Sequence, residues 1–82
     1  MSRARDVVEV IARELVDDPQ AVQATEREGR DRDHIELTTR PGDLGRLIGR
    51  RGRTASAVRV LADLAAERDG RRATVDFVDG TD

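Results

Sequence analysis

Apolar residues recur every three to four positions near the start of the chain. Val7, Ile11 and Leu15 form one line, and Ala4, Val8, Ala12 and Val16 form the next. Arg5, Asp6, Glu9, Arg13 and Glu14 fill the opposite side. This period predicts an amphipathic helix over residues 4–16 that packs on a core. Asp17-Asp18-Pro19 ends it, because proline pushes the preceding residue out of helical geometry. The period then falls to two. Val22 and Ala24 alternate with polar neighbours over 21–27, as do Ile35 and Leu37 over Arg32–Thr39. With a turn at 28–31 containing Gly29, these strands predict an antiparallel hairpin.

Pro41-Gly42 breaks the second strand. A short helical turn follows over 43–48, with Asp43 placed near its positive end. Gly49-Arg50-Arg51-Gly52 reads as a loop. A long helix is expected over 54–68, where Ala55, Val58, Leu61, Ala62 and Ala65 stand at helical spacing. Its alanines favour helix and allow close packing, and Arg59 is placed to pair with Asp63 at i, i+4. Asp69-Gly70 supplies the stop. A last strand spans 72–78, with Ala73, Val75 and the sole aromatic, Phe77, on its core side. Residues 79–82 read as a loose acidic tail. The element order is α-β-β-α-α-β. A two-helix crossover between the second and third strands favours a parallel, right-handed connection. The expected architecture is a two-layer α+β sandwich, three helices on one face of a three-stranded mixed sheet.

Length bounds this to one domain over residues 1–82, with an ordered core at about 4–78. A chain of 82 residues buries roughly 60–65% of its unfolded surface, which leaves little room for a deep catalytic cavity. There is no cysteine, so disulfides and thiolate metal sites are excluded. No uninterrupted apolar run suggests a signal peptide or a membrane span, and the expected location is the cytoplasm. His34 is the only histidine and lies on the polar phase of its strand. Site chemistry needs a constellation, and none surrounds it. The reading assigns no catalytic residue, no metal and no cofactor.

The net charge of −2 conceals a strong asymmetry. Residues 40–59 carry six arginines (Arg40, Arg46, Arg50, Arg51, Arg53, Arg59) against the single acid Asp43. The rest carries nine arginines against sixteen acids. Local potential, not the total, is what a charged partner meets. The glycine-framed loop is the centre of that basic segment. A helix starting after Gly52 would present free N–H groups and a partial positive charge, an anion site.

Two nucleotide-binding readings of the loop fail. A P-loop requires a lysine, and the chain has none. A dinucleotide fingerprint needs G-x-G-x-x-G after a strand; here the glycines stand at 45, 49 and 52, after a helical turn. A helix-hairpin-helix of the DNA-binding kind shares the apolar turn, the bend and the following Thr-Ala, but normally has one apolar residue between its glycines, and it leaves the strands unexplained. Leu47-Ile48-Gly49-Arg50-Arg51-Gly52 resembles the signature of a KH domain, two aliphatics followed by G-x-x-G, in the element order of the type II KH fold. Leu15-Val16-Asp17-Asp18-Pro19, Pro41-Gly42-Asp43-Leu44-Gly45 and Ile48 through Ala55 extend the resemblance to the small bacterial single-KH proteins of the KhpA family. It covers roughly residues 4–78. One position departs: many KH domains carry a larger aliphatic residue where Ala55 stands.

The resemblance implies a non-enzymatic, cytoplasmic RNA-binding module that forms homodimers. It further implies a larger KH/R3H partner of the KhpB, Jag or EloR family, in cell elongation and division and in post-transcriptional regulation. In the residues' own terms, Gly49 and Gly52 let backbone approach phosphates. Arg50 and Arg51 would neutralise them, N–H groups around Arg53 and Thr54 would donate to them, and Arg46 adds charge. Ile48, with Ile35 or Leu37, would touch bases in an apolar groove, although strand apolar residues usually face a core. Arg40, Arg46 and Arg59 also read as solvated surface charges. With one aromatic residue, a multi-aromatic stacking platform is excluded. The partner expected is single-stranded RNA, held weakly and salt-sensitively by one domain. A protein-interaction adaptor on the same scaffold is the alternative from another class, and the helix-hairpin-helix DNA binder stays as a minor one.

Overall fold

The computed structural model describes residues 2–79. Helix α1 (Arg3–Leu15) starts at Ser2, whose Oγ accepts the Arg5 N–H at 3.0 Å and so caps the first turn. A 3₁₀ turn (Pro19–Ala21) leads into β1 (Gln23–Glu28). Then come β2 (Arg32–Thr39), α2 (Leu44–Ile48), a second 3₁₀ turn (Arg50–Gly52), α3 (Arg53–Glu67) and β3 (Arg72–Asp79). The expected α-β-β-α-α-β order holds. The first strand is displaced: Pro19 begins a turn that takes in Ala21, so β1 opens only at Gln23. Asp79, assigned to the tail, ends β3 instead, through pairing with Thr39; residues 80–82 lie outside the described residues.

The sheet order is β1-β2-β3. β1 runs antiparallel to β2, from Gln23 opposite Thr38 to Glu28 opposite Asp33. β2 runs parallel to β3, from Arg32 opposite Arg72 to Thr39 opposite Asp79. Period-two alternation turns Ala24, Ile35, Leu37, Ala73 and Val75 inward, under the helices. Ile35 and Leu37 are 2% and 0% exposed, at the centre of the core. Burying each contributes about 1.5–3 kcal/mol. α1 packs on α3 through Ala4, Val8 and Ala12 of the first helix and Val58, Ala62 and Ala66 of the second. These small side chains let the helices approach closely.

That packing overturns part of the expected core. Helix α3 is rotated so that Ala55, Val58, Ala62 and Ala66 face inward. Leu61, expected inside, is 44% exposed, with Val60 and Leu64 beside it. Leu15, at the end of α1, is also exposed. Nor do Arg59 and Asp63 pair. Each reaches β3: Arg59 Nε donates to the Val75 carbonyl at 3.3 Å, and Asp63 Oδ1 accepts the Ala73 N–H at 3.0 Å.

Two buried carboxylates among the described residues brace the chain. Asp43 does not cap α2. It turns back to accept the Asp18 N–H at 3.1 Å and Arg40 Nη2 at 3.3 Å, tying the connection after α1 to the entrance of α2. Asp33 accepts Arg71 Nε at 2.9 Å. The same guanidinium donates to the carbonyls of Gly29 and Arg30, clamping the β1–β2 turn to the start of β3.

Candidate nucleic-acid interface

The loop between α2 and α3 is built from backbone conformations that few residues accept. Gly49 ends α2 with φ 74° and ψ 172°, its N–H donating to the Gly45 carbonyl at 3.0 Å. That is a region essentially reserved for glycine. A Cβ there would also stand 2.7 Å from the Cβ of Thr54. Gly52 adopts the left-handed conformation, φ 72° and ψ 14°, and no atom lies within 4 Å of where its Cβ would be. The first glycine is thus required by packing and by torsion, the second by torsion alone. Arg51, at φ 58° and ψ 25°, is the one non-glycine residue with positive φ among the described residues. A left-handed conformation costs such a residue roughly 1–2 kcal/mol.

These torsions carry Arg50 and Arg51 outward. Both are exposed, as is Arg53, and none of the three makes an ion pair or a side-chain hydrogen bond among the described residues. α3 then begins at Arg53 with no side chain capping its first N–H groups. Uncapped donors, the positive end of a 15-residue helix and three free guanidiniums converge on one tip. Such a site suits a chain of phosphates. Guanidiniums bind phosphate bidentately, and a bare glycine lets the ligand reach the backbone.

Of the residues expected to act here, Gly49, Arg50, Arg51, Gly52, Arg53 and Thr54 lie together at the tip. Thr54 does so differently from expectation: its side chain and its backbone nitrogen both lie against Gly49. Arg46 pairs with Asp17 at 3.1 Å, both side chains more than half exposed, a pairing worth little in stability. Arg40 is engaged by Asp43. Ile48, the last residue of α2, is partly exposed beside the loop. Ile35 and Leu37 do not line a groove; they are core, because the inward phase of β2 lies beneath the helices. Sequence reasoning missed the contact between Arg59 and Phe77. Phe77 stays partly exposed, with the Arg59 guanidinium carbon 5.0 Å from its ring centroid. Residue spacing carried no signal for this contact, since it paired Arg59 with Asp63 and put Phe77 on the core side.

A two-layer α-β-β-α-α-β domain with a G-x-x-G loop between a short and a long helix defines a type II KH domain. The chain belongs to the KhpA/KhpB KH-domain family, whose model matches residues 5–77. It is 41% identical over 75 residues to the RNA-binding protein KhpA of Halalkalibacterium halodurans, covering 92% of this chain and 99% of that one. It is 38% identical over 79 residues to KhpA of Aquifex aeolicus, covering 96% and 100%. To KhpA of Leifsonia xyli it is 42% identical over 69 residues, covering 84% and 88%. No helix among the described residues is long and apolar enough to cross a membrane. Among the same residues no cluster of three or more acids or histidines could hold a metal ion.

Proposed function

We propose that this protein is a non-enzymatic module that grips the backbone of single-stranded RNA at Gly49-Arg50-Arg51-Gly52. The observation that carries this reading is the trio Arg50, Arg51 and Arg53, free of acids on a tip whose backbone torsions hold it outward. Gly49 shapes the tip, Gly52 leaves the backbone open, and the N–H groups of Arg53 and Thr54 donate to phosphate oxygens. Arg46 contributes to the field, and Ile48 offers an apolar contact beside it. The relatives named for RNA binding support the choice of ligand. The family resemblance supports a cytoplasmic role in post-transcriptional regulation and in cell elongation and division, alongside a KH/R3H partner.

One short grip on an acidic body binds weakly, and pairing two grips raises avidity. The outer side of α3 favours pairing with a second copy. Ala57, Val60, Leu61 and Leu64 form an exposed apolar stripe at i, i+3, i+4, i+7, flanked on the same side by Arg53 and Glu67. A two-fold arrangement of two such helices sets the stripe of each copy against that of the other. Leu61→Glu should convert the dimer to monomer in sedimentation equilibrium.

The test of the RNA grip is the double change Arg50→Asp and Arg51→Asp, with binding of a 12-nucleotide oligoadenosine measured by fluorescence anisotropy at stated salt. Binding should fall to background while the thermal transition stays put. Each lost phosphate contact should lower the salt slope by about 0.7 for a single strand. Unchanged binding by the folded double variant would sink the reading. If Leu61→Glu abolished partner association while the double variant bound normally, the adaptor alternative would stand instead.

A further inference from the structure

One pair of side chains on α3 and β3 is not used by the grip itself. α2, α3 and β3 pack against one another, and Arg59 lies on the side of α3 that meets β3. Its guanidinium lies over the Phe77 ring at 5.0 Å from the centroid, within cation–π range. Arg59 Nε is anchored to the Val75 carbonyl at 3.3 Å, which orients the guanidinium at the outer edge of the sheet. The acid one turn away, Asp63, holds the Ala73 N–H instead. Arg59 therefore carries its charge without a carboxylate partner among the described residues, on an exposed position.

We propose that Arg59, stacked on Phe77, is a base-stacking platform for the strand that the loop holds; the inference rests on the RNA-binding reading above. Arg59 follows the start of α3 by six residues, about 9 Å along the axis at 1.5 Å per residue. A KH-type grip spans about four nucleotides. A strand fixed by its phosphates at the tip is therefore long enough to bring a base to this pair. Arginine planes and aromatic rings both receive bases by stacking. Here the guanidinium lies over the ring while Arg59 stays exposed, so a base has access to it from outside. Such a platform is tolerant of sequence, since every base has a π-face. Capping the edge of β3 is the purely structural role for the same arginine, and it makes a different prediction.

The test uses the full chain and a 12-nucleotide oligoadenosine carrying one 2-aminopurine, whose fluorescence falls on stacking. Arg59→Lys keeps the charge and loses the plane. Binding should weaken roughly tenfold, within the range of losses seen when a stacking partner is removed. The salt slope should stay unchanged and the quenching should be relieved. Phe77→Leu, which keeps an apolar contact with the core, should weaken binding several-fold in the same way. Wild-type affinity and quenching in Arg59→Lys would overturn the platform, as would a loss in Arg59→Ala that lysine fully restores. If the wild type binds, the Arg50/Arg51 double variant does not, and Arg59→Lys is neutral, only the platform falls. If the wild type fails to bind, or the double variant binds as well as wild type, the RNA-binding reading falls with it.

Discussion

Two turns of nearly the same composition have opposite fates in this chain. Gly29-Arg30-Asp31-Arg32 joins β1 to β2, and Gly49-Arg50-Arg51-Gly52 joins α2 to α3. The first is closed from all sides. Gly29 N–H donates to the Arg32 carbonyl at 2.7 Å and Arg72 N–H to the Asp31 carbonyl at 3.0 Å. Arg32 Nη1 donates to Thr74 Oγ1 at 2.9 Å, and Arg71 clamps the turn from outside. Among the described residues the second is closed by backbone bonds alone, from the N–H groups of Gly49, Gly52 and Arg53 to the carbonyls of Gly45, Gly49 and Arg50. The difference comes from one buried acid. Asp33 sits beneath the first turn and holds Arg71, whose guanidinium reaches that turn's carbonyls, whereas among the described residues no carboxylate holds a guanidinium over the second. An arginine with a buried acid becomes structure. An arginine without one, such as Arg51 on its left-handed torsion, stays unpaired among the described residues and open to the ligand proposed above.

The sharpest way to break this comparison is Arg71→Ala. It leaves the Asp33 carboxylate, whose side chain is 4% exposed, buried and without its guanidinium. Loss of one partner of a buried pair costs about 3 kcal/mol, a large share of a domain stability of about 5–15 kcal/mol. Urea denaturation should report that loss, while RNA affinity of the folded protein stays unchanged. A shift in unfolding free energy below about 0.5 kcal/mol would mean that the first turn is no more tied down than the second.

Next in size is the contrast between the two glycines of the second turn. Gly49→Ala meets both a forbidden torsion and the Thr54 side chain, and should cost about 2 kcal/mol or more. Gly52→Ala meets only the left-handed torsion, at roughly 1 kcal/mol, with open space around the new methyl. Its RNA affinity should nevertheless fall, because the methyl occupies the approach to the backbone. Equal destabilisation by the two changes would contradict the geometry.

Element order, the parallel pairing of β2 with β3 and the membership of the loop were legible because each rests on local pattern. Alternation of Ile35 and Leu37 needs only the neighbours, and glycines at 49 and 52 announce their torsions in their identity. What was not legible depends on the rotation of one helix about its axis. A shift of α3 by a fraction of a turn put Ala66 inward and Leu61 outward. It also sent Arg59 and Asp63 to β3 instead of to each other. The same limit hid the roles of Asp43 and Asp33, whose partners, Asp18 and Arg71, stand 25 and 38 residues away. Composition could count the charges in each turn but could not say which had an acid beneath it.

The smallest expected effect bears most directly on why the second turn is left open. Arg51 holds a left-handed conformation with nothing among the described residues pairing with its side chain. A fold optimised for stability alone would place glycine there. Arg51→Gly relieves the torsional strain, partly offset by the greater freedom of glycine in the unfolded chain. The net gain should be about 0.5 kcal/mol, seen as a higher midpoint in urea. Affinity for oligoadenosine should fall several-fold at the same time, and the salt slope should shrink by about 0.7, one phosphate contact. Opposite movements of stability and affinity would identify Arg51 as a residue kept under strain for its ligand. Loss of both together would place Arg51 among the residues that build the turn, and the two turns would then differ in degree only.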